Sequence, residues 1–166
     1  CGIVLYYLEE TRHPNLAHLK GISKIHPLDY LFLDRFSIRN LELMENPQSE
    51  GRSFVEVLDA TKTPMGARLL RKWTLFPLKD LEQIRFRHSI VSSFIQHKKW
   101  AKQASEILQE MGDLERLIGK SATGRINPRE LVQLKRSVEL LPRVKKSLSE
   151  INGLEVANLG SQLTDQ

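Results

Sequence analysis

The sequence predicts a mainly α fold: packed helices with a small two-strand β element near residues 22–34. Three observations predict it. From Thr63 onward, polar residues able to cap a helix are followed by proline at the first helical position or by Glu or Gln at the third. Between those starts, apolar residues recur at three-and-four spacing, which is the period of a helix. Against this background LKGISKIHPLDYLFLD stands apart, with β-branched and aromatic residues in short runs split by Gly21 and Pro27.

The first ten residues read as an amphipathic helix with Ile3, Leu5, Tyr6 and Tyr7 as its apolar contributors, stopped before Pro14. Short strands follow near 22–26 and 29–34. Asp34 or Ser37 then starts a helix through IRNLELMEN, with Ile38, Leu41 and Met44 facing inward. NPQSEGRS is a polar loop, and FVEVLDA a short helix. Thr63 caps a helix over 64–76 with Pro64 at its first position. Asp80, with Gln83 three residues on, starts the next at 81–97. Helices over 99–111 and 113–122 are separated by Gly112, with Asp113 as the second one's cap. Asn127, Pro128 and Glu130 open the last helix, 128–149, in which Leu131, Leu134, Val138, Leu141 and Leu148 form an apolar seam broken by Lys145. Pro142 inside it costs about 3 kcal/mol in a straight helix, so a bend or break is expected there. The expected core is Met65, Leu69, Trp73, Leu114, Leu117, Leu131, Leu134 and Leu141; the expected caps are Thr63, Asp80, Asp113 and Asn127.

With 166 residues, 40% of them apolar, the chain has the length and material of one ordinary domain. Its net charge of +5 and pI of about 9.4 make an anionic partner worth testing, although lysines and arginines mostly solvate helix faces. Cys1 is the single cysteine, so no internal disulfide forms and a reducing compartment fits. No apolar run approaches the roughly 20 residues needed to cross a bilayer, and no signal peptide is recognisable. A start at Cys1 and an end at SQLTDQ suggest a piece of a longer protein.

The strings that invite a catalytic reading have simpler ones. GKS at 119–121 matches the end of a phosphate-binding P-loop, but Leu114 stands where the first glycine is required, and a helical pattern precedes it. His13, His18, His26, His88 and His97 lack the paired spacing of a zinc site. His88 shares a face with Ile84, Val91 and Ile95, which predicts partial burial. There is no GxSxG elbow, and the carboxylates Asp113 and Glu115 are too close in sequence to face each other along a helix. The basic residues Arg68, Arg71 and Lys72 lie opposite Met65, Leu69 and Trp73, with Arg85, Arg87, Lys98 and Lys99 adding charge. No stacking pattern of aromatics accompanies them. A stand-alone basic helical module that binds nucleic acid or protein is nevertheless the alternative reading.

Taken together, LDRFSIRNLEL, VLDATKTPMGARLLRKWTLFPL, DLEQIRFRHSIVSSF and MGDLERLIGKSATGRINPRELVQLKRSVELLP resemble the core, or lever, region of the MutS family of DNA mismatch-repair ATPases. The resemblance runs over about residues 1–149, and TPMG with RLLRKW, and GDLERL, are its most specific parts. It implies that residues 1–14 are the end of a connector domain, 15–150 the first part of the core, and 151–166 an uncertain tail. It also implies a parent that is a cytoplasmic, nucleoid-associated bacterial ATPase using ATP and Mg, whose partners are mismatched double-stranded DNA, a second subunit and its own other domains, with no membrane. The mismatch-reading Phe-x-Glu motif, the P-loop and the DNA clamp of that family belong to other parts, so no catalytic, cofactor or metal residue is carried onto this piece. Arg68, Arg71, Arg116 and Arg125 are expected in intramolecular bonds or at helix ends.

Overall fold

The computed structural model describes residues 2–11, 29–46 and 51–150, and these are mainly helical. Helix α1 spans Gly2–Glu10, α2 Arg35–Asn40, α3 Phe54–Leu58, α4 Pro64–Leu75 and α5 Leu81–Gln96. They are followed by α6 at Lys98–Glu110, α7 at Leu114–Ala122, α8 at Pro128–Glu139 and α9 at Leu141–Ser149.

Each start has a visible chemical cause. The side chains of Asp34, Thr63, Asp80, Asp113 and Asn127 accept from backbone N–H groups three residues on, filling donors that a helix cannot satisfy itself. Ser53 and Glu56 at α3, and Asn127 and Glu130 at α8, close full capping boxes. Between α7 and α8 the chain reverses through Gly124, whose φ of 68° is left-handed and costs glycine little.

No sheet occurs among the described residues, which corrects the expected strand at 29–34; the one expected at 22–26 lies outside them. Tyr30 instead forms an isolated antiparallel bridge with Leu78. Leu31 N–H donates to the Pro77 carbonyl at 2.8 Å and Lys79 N–H to that of Asp29 at 3.3 Å. The pairing stops there because little chain separates the end of α4 from Asp80, which must already cap α5.

Helix α2 also ends earlier than expected. The chain turns at Glu42, whose φ of 48° is left-handed. The turn aims the carbonyls of Glu42 and Leu43 at the Phe54 and Val55 N–H groups, at 2.8 and 3.1 Å, so the first turn of α3 is satisfied by this loop. Farther on, the expected single helix over 128–149 is two. The break falls at Leu140, which places Pro142 in the first turn of α9, where its missing N–H does no harm.

The later helices pack in a return path: α5 on α6, α6 on α9, α7 on α8, α8 on α9, with α3 on α4 at the other end. Val55, Ala104, Ile107, Met111 and Leu117 are buried. So are Ser53, Ser137 and Ser147. Three expected core residues are corrected: Leu69, Trp73 and Leu131 are 46%, 43% and 53% exposed. Met65, Leu114, Leu134 and Leu141 are half-buried, and Leu117 is buried. The reason is shared by both misread helices. On α4 the better-covered positions are Met65, Gly66, Ala67, Leu70, Thr74 and Leu75, and on α8 they are Glu130, Leu134 and Ser137, so the side of each helix that packs within the chain lies beside the expected stripe. His88 is exposed rather than partly buried, because the face it shares with Val91 and Ile95 is itself exposed.

Candidate functional site

The densest set of long-range polar contacts lies at the joint between α6 and α7, residues Met111–Asp113. Asp113 caps α7 by accepting from Arg116 N–H at 3.2 Å. Its two oxygens also take a bidentate pair from Arg68 of α4, with Nη1 to Oδ2 at 2.9 Å and Nη2 to Oδ1 at 2.7 Å. The same guanidinium donates from Nε and Nη2 to Glu115 Oε2 at 3.0 and 2.6 Å. Two carboxylates next but one in sequence meet one arginine because Asp113 is a cap, with non-helical φ −76° and ψ 80°. The planar fork of arginine matches that geometry, and a lysine would not.

These contacts shift the ionisation of both partners. Arg68 is pushed above its ordinary value by the hydrogen bonds it donates to Asp113 and then to Glu115. The Asp113 carboxyl is held below its ordinary range first by Arg68, and also by Arg116 N–H. An arginine that the sequence offers to an anionic partner is thus committed within the chain. Arg87 is engaged as well, its guanidinium 3.7 Å from the centre of the Trp73 ring, which accounts for part of that ring's cover.

On the other side of the same joint, Gly112 N–H donates to Ser137 Oγ at 3.0 Å, and that hydroxyl donates to the Gln133 carbonyl at 2.9 Å. Ser137 is 1% exposed. A Cβ on residue 112 would lie 3.1 Å from this Oγ and 2.8 Å from Gln133 Nε2, so a larger residue would push the glutamine amide aside and crowd the serine hydroxyl. The opposite end of α7 is tied to α8 by an ion pair between Lys120 and Glu130. Glu130 is held below its ordinary range by Lys120 and then by the Asn127 N–H.

This geometry also places the catalytic-looking strings. Gly119, Lys120 and Ser121 lie within α7, and the lysine is engaged by Glu130, so the string forms no loop around a phosphate. A Phe-x-Glu tripeptide, expected to be absent from this chain, does occur as Phe54-Val55-Glu56, and there Glu56 is held in the capping box of α3 by Ser53 N–H at 2.8 Å. Among the described residues no cluster of His, Cys, Asp or Glu is arranged to hold a metal. His13, His18 and His26 lie outside them. Expected partners of Arg71 take a looser form, since its charge sits near Glu56 and Asp59. Sequence reasoning missed Ser137 and Glu115. The serine carried no apolar signal, and the glutamate stood too close to Asp113 in sequence for the two to read as one site.

The family model for MutS domain III matches residues 37–165. This chain belongs to the MutS family. It is 45% identical over 162 residues to the DNA mismatch repair protein MutS of Cytophaga hutchinsonii, covering 98% of this chain and 19% of that protein. The MutS proteins of Parabacteroides distasonis and Porphyromonas gingivalis are 39% and 40% identical over the same length, covering 98% of this chain and 19% and 18% of theirs. The chain therefore spans about a fifth of the length of these MutS relatives. Within the matched span, GDLERL contributes Asp113 and Glu115, and TPMGARLL contributes Thr63 and Arg68. Two strings of the matched span thus meet in one ionic contact. No helix among the described residues is long and apolar enough to cross a membrane.

Proposed function

We propose that this MutS domain III chain is a non-catalytic core, or lever, segment of a mismatch-recognition ATPase, linking the regions that hold DNA to the ATPase. In this reading residues 1–14 are the junction with a connector domain, 15–150 the first part of the core and 151–166 an uncertain tail. The whole protein binds mismatched double-stranded DNA with a second subunit and uses ATP and Mg at sites outside this chain.

The observation that supports the reading most is the way Arg68 reaches Asp113 and Glu115 across 45 and 47 residues of sequence. Helices held in series by such contacts and by close packing have few arrangements, and a displacement at one end is passed on as a rigid movement. A second support is the large apolar residues left open on the outside, among them Leu69, Val91, Ile95, Ile118 and Leu131. Faces of that kind suit burial against further domains of a longer protein.

The rival, a stand-alone basic module, needs free cations and a binding preference of its own. Titration of the isolated chain with matched and mismatched duplexes at several salt concentrations separates the two. The lever reading expects weak binding without mismatch preference. Mismatch-selective binding by the isolated chain overturns it.

A further inference from the structure

We infer that Met111–Asp113 is a locked joint and not a hinge, because α4 and α8 fix it through adjacent residues. A three-residue link between two helices is where a helical body would be expected to flex, since a few loop positions suffice to absorb a hinge rotation. Here every one of the three is held. Met111 is buried. Gly112 gives its N–H to the buried Ser137 hydroxyl of α8 at 3.0 Å. Asp113 takes both terminal nitrogens of Arg68 from α4 at 2.9 and 2.7 Å while also capping α7.

Rotation at this joint must break the two holds together. Turning α7 away from α6 swings the Asp113 carboxylate off the guanidinium, and the same change in backbone angles redirects the Gly112 N–H away from Ser137. The spacing is tight, since a methyl group at residue 112 would lie 3.1 Å from Ser137 Oγ and crowd it. Arg68 and Ser137, which belong to different helices and do not touch through any described bond, are therefore coupled through the joint. The contact between Arg143 of α9 and Glu110 of α6, at 3.4 Å and on exposed side chains, lies one residue before the joint and has no such geometry. It serves as a control. The inference concerns the internal mechanics of the fold and stands whether or not the chain acts as a lever.

The test is hydrogen exchange of the Gly112 amide, followed by NMR on the full 166-residue chain. Arg68→Ala is expected to speed that exchange by about tenfold or more, the scale set by losing a charge-assisted contact. Arg143→Ala should leave it unchanged. If Arg68→Ala does not fold, Glu115→Gln and Arg68→Lys weaken the fork without removing it, and a graded rise in Gly112 exchange is expected. Conversely, Ser137→Ala should broaden or shift the Arg68 Nε–H resonance. A Gly112 amide that exchanges at the parent rate in folded Arg68 or Glu115 variants overturns the inference, as does a rise of equal size in Arg143→Ala.

Discussion

Two leucines that the sequence ranks alike, Leu117 and Leu131, separate in the fold, and substituting each by alanine tests the packing. Leu117 on α7 is 5% exposed, whereas Leu131 on α8 is 53% exposed. Leu→Ala removes three carbons, about 2.4 kcal/mol of transfer free energy at roughly 0.8 kcal/mol each when the site is fully buried. A buried site that cannot collapse adds a cavity term, so Leu117→Ala should cost about 3–4 kcal/mol. At Leu131 about half the transfer term survives and no closed cavity forms, which leaves about 1 kcal/mol. Urea unfolding followed by circular dichroism reads both values, provided the slope of the transition is the same in the two variants. Equal costs, or a larger cost at Leu131, would show that α8 buries its 131 face and would refute the assignment of Ser137 to the interior.

Three further outcomes follow from the same structure. Asn127→Ala opens the capping box of α8 and should cost about 1 kcal/mol in the same unfolding assay, while a neutral result would mean that the cap bonds are not formed. Asp34, Glu56, Asp59, Asp113 and Glu130 all have carboxyls held below their ordinary values of 3.8 for Asp and 4.5 for Glu. The unfolded chain therefore binds protons more readily, so these groups stabilise the fold above about pH 4.5 and lose that contribution as pH falls through their folded pKa values. Stability measured against pH should bend downward in acid, less steeply in Asp113→Asn; a flat profile would contradict the bonds assigned to them. Ser147 is buried with its hydroxyl lacking a hydrogen-bond partner, so Ser147→Ala should be neutral or raise stability by about 1 kcal/mol. A loss of more than about 1 kcal/mol would mean that the hydroxyl has a bond after all.

Local chemistry was the most legible part of this fold. Thr63-Pro64, Asp80, Asp113 and Asn127-Pro128 each announce a helix start through a side chain that bonds its own neighbourhood, and nothing distant is needed to read them. Burial was harder. Leu69, Trp73 and Leu131 are large and fall at helical spacing, so they read as core, yet the residues the fold buries include Ala104 and Ser137 instead. Spacing identifies an apolar stripe but does not say whether its partner lies within the chain. Val55 and Ile107 were the converse case, ordinary apolar residues in short or charged helices that become buried through tertiary contact.

The strand expected at 29–34 failed for a related reason. Its residues suit a strand, but Leu78 offers only a bridge before α5 begins, and a ladder needs a partner of matching length. The ionic joint was half legible. GDLERL and TPMGARLL resemble one protein family, which suggested structural arginines, but the sequence could not say that Arg68 and Asp113 meet. That pairing depends on α4 and α7 being brought together by everything between them.

The central claim is that this domain transmits and does not recognise or catalyse, and it is tested most directly in a full-length MutS protein containing this chain. The measurement is the change in mismatch affinity produced by ATP, compared between the parent and Arg68→Ala. Coupling between two sites typically amounts to about 5–150-fold in affinity. The lever account predicts that the variant retains its ATP-free affinity for mismatched duplex and its basal ATP hydrolysis while that ratio falls several-fold. A ratio equal to the parent's, in a variant whose Gly112 amide shows the joint to be open, would contradict it.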